Sequence, residues 1–375
     1  MSEVVVVNLF LWVRVFLVGG IFLMFPRITR KGLLFGVYVG EEFAEGDEAR
    51  GVLRGWDRGC VMVMASALFV GLVGTLAGHA VAGNLTGTAV LLLGGVGLYL
   101  RSYSRVRAFA RPDVTRQGGR ATAALGGDGS KAETVARITL GICLVSALAT
   151  IAFALMNYQA MGTRLPTLWS LIGGADGWTE KSYLYAMYVP TWNLVLGQLF
   201  ALLALLIASA KRSLREGPGG RSAEAQDAFR AMTSYLFSGI ALFYCALLTL
   251  FSVQVIRIGL SGAQSLGIEM LWIIGPMIVF IVVMGAGVFW IIRRYGQGGA
   301  LMERGFSEGA LTGGLADNAR WVWGAFYVNP DDPSWFLESR FGIGYSTNWG
   351  NRKAALFNIV SLALILSLVV LGFFL

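Results

Sequence analysis

Residues 4–25 read VVVVNLFLWVRVFLVGGIFLMF, 22 residues with a single charge, Arg14. At 1.5 Å rise per residue, a helix of this length spans the roughly 30 Å hydrocarbon core of a bilayer. Seven more apolar blocks follow, at residues 60–81, 85–100, 138–158, 189–210, 232–255, 270–292 and 354–375. The block at 85–100 is short and carries Gly94, Gly95 and Gly97, so it is the least secure span. The expected fold is therefore all-α: a polytopic transmembrane helix bundle of about eight helices, forming a single domain.

Composition points the same way. Hydrophobic residues make up 56% of the chain and charged residues 14%, against about 25% charged in an ordinary soluble domain. The lipid bilayer is the expected solvent. Met1 to Asn8 lacks a basic stretch and the first block exceeds a cleavable leader's apolar core, so the first helix is expected to be retained.

Charge sets the orientation. The connecting segments 26–59, 101–137, 211–230 and 293–353 hold 26 of the 30 Lys and Arg residues, and alternation of the eight spans puts all four on one side. The positive-inside rule makes that side cytoplasmic and both termini extracytoplasmic, in a bacterial inner membrane. The formal charge of +8 arises in the same segments. A basic face toward anionic lipid accounts for it, and nucleic acid is not implied as a partner.

The inner segments are expected to differ in character. Residues 26–59 pass from basic to acidic and suggest an amphipathic element along the interface. Residues 118–130 read as a flexible linker. The last inner segment carries many aromatic residues, among them Trp321, Trp323, Tyr327, Trp335, Phe341 and Trp349, around Asn329-Pro330-Asp331-Asp332-Pro333. Pro, Asp and Asn at these spacings favour consecutive turns with side chains capping N–H groups. A small aromatic-rich cytoplasmic lobe is expected at 321–353, between the bundle (1–320) and the last span (354–375). Two carboxylates in a turn are too few for a metal site.

Arg14 is the one charge expected at mid-bilayer, where an unpaired Arg costs about 2.5–3.5 kcal/mol on an insertion scale. All Asp and Glu residues fall in connecting segments or at helix ends. Arg14 is thus left to hydrogen-bond carbonyls or polar residues such as Gln198 or Asn193, to lean on lipid phosphate, to pair with another subunit, or to line a ligand site. Cys60, Cys143 and Cys245 lie in or beside apolar blocks without metal spacing and read as small packing residues. His79 sits near the outer end of the second block, Gly74 and Gly78 suggest close helix packing, and Pro276 suggests a kink. Metalloprotease, phosphate-loop and nucleophile–base motifs are all missing from the sequence, so neither catalysis nor a cofactor is expected.

The outer segment 159–188 contains LPTLWSLIGGADGWTEK, residues 165–181. Its Pro166, Gly173, Asp176, Trp178 and Lys181 resemble the outer-loop signature of SdpI-type bacterial membrane proteins, with Leu168 and Ser170 where that pattern favours His and Asn. Pro26 to Val39 is similar to a segment after the first helix in the same family. Asn329 to Pro333, continuing through Arg340, resembles a short C-terminal domain of unknown function found alongside it. The resemblance implies a membrane protein that binds a membrane-active peptide or protein, as immunity proteins and signal receivers do. On that reading Arg14, Pro166, Trp169, Asp176, Trp178 and Lys181 are partner-binding candidates. An accessory subunit of a larger membrane complex is the alternative, and a small-solute transporter the third.

Overall fold

A computed structural model describes residues 3–29, 32–111, 129–169, 175–210, 220–263, 269–296, 299, 302, 317–340 and 344–374. Among these, seven helices are long and apolar enough to cross a membrane. They are α3 (Asp47–Leu76), α4 (Ala80–Arg107), α5 (Gly129–Asn157), α6 (Tyr183–Ala208), α7 (Gly220–Ser261), α8 (Glu269–Tyr295) and α9 (Arg352–Phe374). The first expected block forms α1 (Glu3–Met24), a 22-residue helix, and a five-residue helix α2 (Glu41–Glu45) precedes α3. The chain is a multi-pass helical membrane protein.

Several helices run well past the apolar blocks. α3 begins at Asp47 rather than near Cys60, and α7 begins at Gly220 rather than Met232. Their polar turns keep helical hydrogen bonding beyond the hydrocarbon, steadied by pairs such as Arg230 with Asp227 at 2.9 Å. The short block at 85–100 is the middle of the 28-residue α4, so its glycines do not fray it. They let it pack. A Cβ on Gly83 would run into Gly74 Cα, one on Gly95 into the Phe22 ring and one on Gly87 into the Ala67 carbonyl. Gly74 thus pairs with Gly83 across helices, while Gly78 has φ +80° and makes the turn into α4.

α1, α3 and α4 pack as one three-helix group around Leu11, Val15, Ala67 and Leu91. The indole of Trp56 donates to the Phe22 carbonyl at 3.0 Å, tying α3 to α1. α5, α6 and α7 form a second group whose buried contacts are small: Ala147, Ala154, Ala201, Ala204, Ala241 and the free cysteines Cys143 and Cys245. Helices in lipid gain no hydrophobic drive toward one another, so close backbone approach through small residues supplies the attraction. α8 packs on α7, and α9 on α6.

Among the described residues four two-stranded antiparallel hairpins join these helices, a feature absent from the all-α expectation. β1 (Leu33–Leu34) and β2 (Val37–Tyr38) lie buried against α3 and α4, and the acidic stretch that follows forms α2. Phe35 and Gly36 between them have φ of 47° and 75°, the two positive values of a tight two-residue hairpin turn. A left-handed Phe costs about 1–2 kcal/mol. Its ring, fully buried edge-on to Trp56 at 5.1 Å, contributes about 1.5–3 kcal/mol by burial and outweighs that cost. β3 (Arg164–Trp169) and β4 (Ala175–Glu180) form the hairpin between α5 and α6, while β5 (Trp321–Val322), β6 (Phe326–Tyr327), β7 (Phe336–Glu338) and β8 (Tyr345–Thr347) build the C-terminal lobe. The expected linker at 118–130 lies outside the described residues up to Gly129.

Candidate functional site

Two assemblies gather the residues singled out in the sequence. The first is the β3–β4 hairpin. Its base is fixed by backbone bonds from Gly162 N–H to the Gly259 carbonyl on α7 (2.8 Å) and from Lys181 N–H to the Thr163 carbonyl (2.9 Å). The Tyr185 hydroxyl donates to the Pro166 carbonyl, and Leu165 is buried with Tyr158, Met161, Ala186 and Ile256 at the ends of α5, α6 and α7. Pro166 opposes Trp178 in the strand register. Beneath the hairpin, Met161, Leu165, Tyr185, Pro190, Ser252 and Ile256 line a narrow cleft.

Lys181, a partner-binding candidate, has a structural task in this position. Its Nζ donates to the Met161 carbonyl (2.9 Å) and the Tyr158 carbonyl (3.3 Å) and lies 5.1 Å from the Tyr158 ring centre. A cation on the carbonyls of the 3-10 turn that follows α5, residues 158–161, satisfies groups that the end of a helix leaves open. Trp178 is 38% exposed. Trp169 and Asp176 sit on β3 and β4, and Ser170 and Gly173 lie outside the described residues. Strands 164–169 and 175–180 thus form an anchored hairpin.

Arg14 belongs to the other group of helices. Its guanidinium donates to Asn84 Oδ1, and Asn84 is buried one turn into α4. Gln198 and Asn193 are not its partners; Asn193 donates to Thr249 Oγ1 at 2.9 Å. Reading the third span from Leu85 hid Asn84 in an apparent connector, although it sits on the helical face that holds Gly83, Gly87 and Leu91.

The second assembly is the C-terminal lobe. Asn348, 0% exposed, is its centre. Its Nδ2 donates to the Asn329 carbonyl (2.9 Å), the Asp332 carbonyl (2.9 Å) and the Ser334 carbonyl (3.3 Å), while Oδ1 accepts from Asn329 N–H and Gly350 N–H, both at 3.0 Å. Asp332 Oδ1 accepts from Ser334 N–H (3.0 Å) and Oγ (2.6 Å), and its Oδ2 accepts from the Tyr327 hydroxyl (3.3 Å). Burial, with the Asp332 carboxylate nearby, pushes the Tyr327 phenol up from its ordinary value despite the Asn329 amide donating to it. Asn351 caps α9, accepting from Lys353 N–H (3.1 Å) and Ala354 N–H (3.3 Å), and donates to the Pro333 carbonyl (2.9 Å). Pro330 is the exposed corner of the turn.

The two aspartates therefore differ. Asp332 caps the turn from inside, whereas Asp331 is 84% exposed at the side chain and faces Arg320 at 3.7 Å. Among the described residues no cluster of three metal-ligating side chains occurs. Residues 330–354, this turn together with β7, β8 and the α9 cap, match a family of unknown function, DUF5808. No curated protein and no solved structure matches the chain.

The matched segment grips the N-terminal hairpin. Arg340, 1% exposed, donates to the Gly36 carbonyl (3.2 Å) and to Asn318 Oδ1 (2.8 Å), with its guanidinium 5.2 Å from the Trp321 ring centre. Asn318 exchanges bonds with Tyr38, accepting from its N–H (2.9 Å) and donating to its carbonyl (3.1 Å). Trp323 and Gly324, φ 51° and 69°, form a second left-handed turn. The Gly36 and Gly324 backbones meet so closely that a Cβ on Gly36 would overlap the Gly324 carbonyl. Sequence reading missed this clasp. Its only signals are the aromatic–Gly pairs Phe35-Gly36 and Trp323-Gly324.

Proposed function

We propose that the chain is a non-enzymatic protein of the bacterial inner membrane with eight spans and both termini outside, binding a membrane-embedded peptide or protein in an immunity or receptor role. One observation carries this reading: the outer hairpin is braced on three helix ends yet keeps Trp178 exposed and, among the described residues, pairs its strands only with each other. A fixed hairpin with open strand edges and an exposed Trp suits an extended or amphipathic peptide arriving at the interface, through main-chain pairing and aromatic contact. The resemblance of residues 165–181 to the SdpI-type outer loop agrees with it.

The accessory-subunit alternative drew support from Arg14 as a charge seeking a partner chain. Its bond to Asn84 gives that charge a polar partner within this chain. Photo-cross-linking from position 180, two residues along β4 from Trp178, in native membranes, followed by affinity recovery, tests the proposal. A discrete adduct lost at least about tenfold on Trp178→Ala supports it, and adducts with lipid alone overturn it.

A further inference from the structure

We infer that Arg54 and Arg58 on α3, with Arg101 and Arg105 on α4, form a binding site for the headgroup of an anionic phospholipid. The site rests on α3 and α4 crossing the membrane. All four side chains are exposed, and among the described residues none makes an ion pair or hydrogen bond. Neighbouring acids are engaged elsewhere, Asp57 with Arg27 at 2.6 Å, Asp47 with Arg50 at 2.7 Å and Glu42 with Arg111 at 3.5 Å; Glu48 is exposed at the start of α3, well over a turn below Arg54.

The register brings the four together. α3 and α4 run antiparallel, with Gly59 against Leu98 and Gly55 beside the Arg105 guanidinium, whose nearest nitrogen lies 4.0 Å from where a Cβ on Gly55 would sit. Arg58 is therefore level with Arg101, and Arg54 with Arg105. Each helix carries a like-charged i, i+4 pair, which repels unless an anion lies between. Glycine at 55 leaves room for that anion, and planar guanidinium groups suit bidentate phosphate contact.

The surroundings select a lipid rather than a free anion. One to two turns into the membrane, the neighbouring surface exposes Val61, Met62 and Leu93, between 57% and 73%. A phosphate held by the arginines places its acyl chains along these side chains, at the depth where basic residues meet anionic headgroups.

Native mass spectrometry of the full chain, in detergent carrying equimolar phosphatidylglycerol and phosphatidylcholine, tests the site. Wild type should retain phosphatidylglycerol in at least about tenfold excess. Arg58→Gln/Arg105→Gln should abolish the preference, while Arg58→Lys/Arg105→Lys and Arg107→Gln, whose parent stacks on Tyr103, should keep it. Equal retention of the two lipids by wild type overturns the site without any variant. Unchanged preference in the double Gln variant overturns it too, as does displacement of the lipid by millimolar inorganic phosphate. Recovery of the chain without detergent would instead overturn the membrane-spanning reading itself.

Discussion

The Tyr99 hydroxyl, on α4, donates to the Trp323 carbonyl at 2.8 Å and lies 3.3 Å from the Phe35 carbonyl. A single phenol thus addresses both left-handed turns at the point where their glycines cross. It fixes the C-terminal lobe and the N-terminal hairpin to the same helix.

Replacing Tyr99 with Phe should remove the shared donor while keeping the ring against Tyr103. The expected cost is about 0.5–1.5 kcal/mol, with faster amide exchange confined to residues 33–38 and 321–327. Uniform exchange across the bundle would contradict the clasp.

The lobe should rank its polar residues by burial. Asn348→Ala removes the partner of several backbone groups and should cost more than about 3 kcal/mol, since each group left unsatisfied costs about 1–3 kcal/mol. Asp332→Ala should cost about 0.5–2 kcal/mol, as other caps do. Asp331→Ala should stay within about 0.5 kcal/mol. Thermal unfolding in detergent reads all three, and equal effects at 331 and 332 would overturn the assignment.

Arg14 and Asn84 should be coupled. In a double-mutant cycle of Arg14→Leu and Asn84→Leu, the interaction should amount to about 0.6–1.7 kcal/mol, the range of side-chain hydrogen bonds between membrane helices. Additive effects would mean that the bond contributes nothing to stability.

Tyr327 predicts an alkaline weakness. Its phenol is raised in the fold, so the unfolded chain loses this proton first as pH rises through about 10. The contribution to stability is complete below that pH and declines above it. Melting between pH 8 and 11 should fall more steeply for wild type than for Tyr327→Phe; parallel slopes would exclude the effect.

Reporter fusions test the orientation. A fusion after Lys353 should read cytoplasmic and one after Leu375 extracytoplasmic. Identical readings would refute the crossing of α9.

What could be read in advance followed from where the physics is local. Apolar blocks located all seven long helices because burial in lipid depends on composition alone, and the turn at Asn329–Pro333 was legible because Asn, Asp and Pro shape turns by themselves. The helix ends were not legible: Asp47 and Gly220 begin helices in polar sequence that no hydrocarbon marks. Asn84 was missed for the same reason. The clasp depends on Gly36 meeting Gly324 and Arg340 meeting the Gly36 carbonyl, contacts that no local pattern announces. Lys181, a motif residue expected at a binding surface, also donates to the Met161 carbonyl, a contact that the motif itself does not announce.

The Asn318–Tyr38 bond closes over 280 positions of sequence. At about 5–20 residues per second of synthesis, the first hairpin waits roughly 14–56 s for the segment that covers it. Throughout that interval the Gly36 carbonyl and the Tyr38 amide are without these partners, a nascent-chain vulnerability that ends only once Asn318 and Arg340 have been made. Truncations before residue 317 should accordingly be substrates for membrane quality-control proteases even when every preceding helix has inserted.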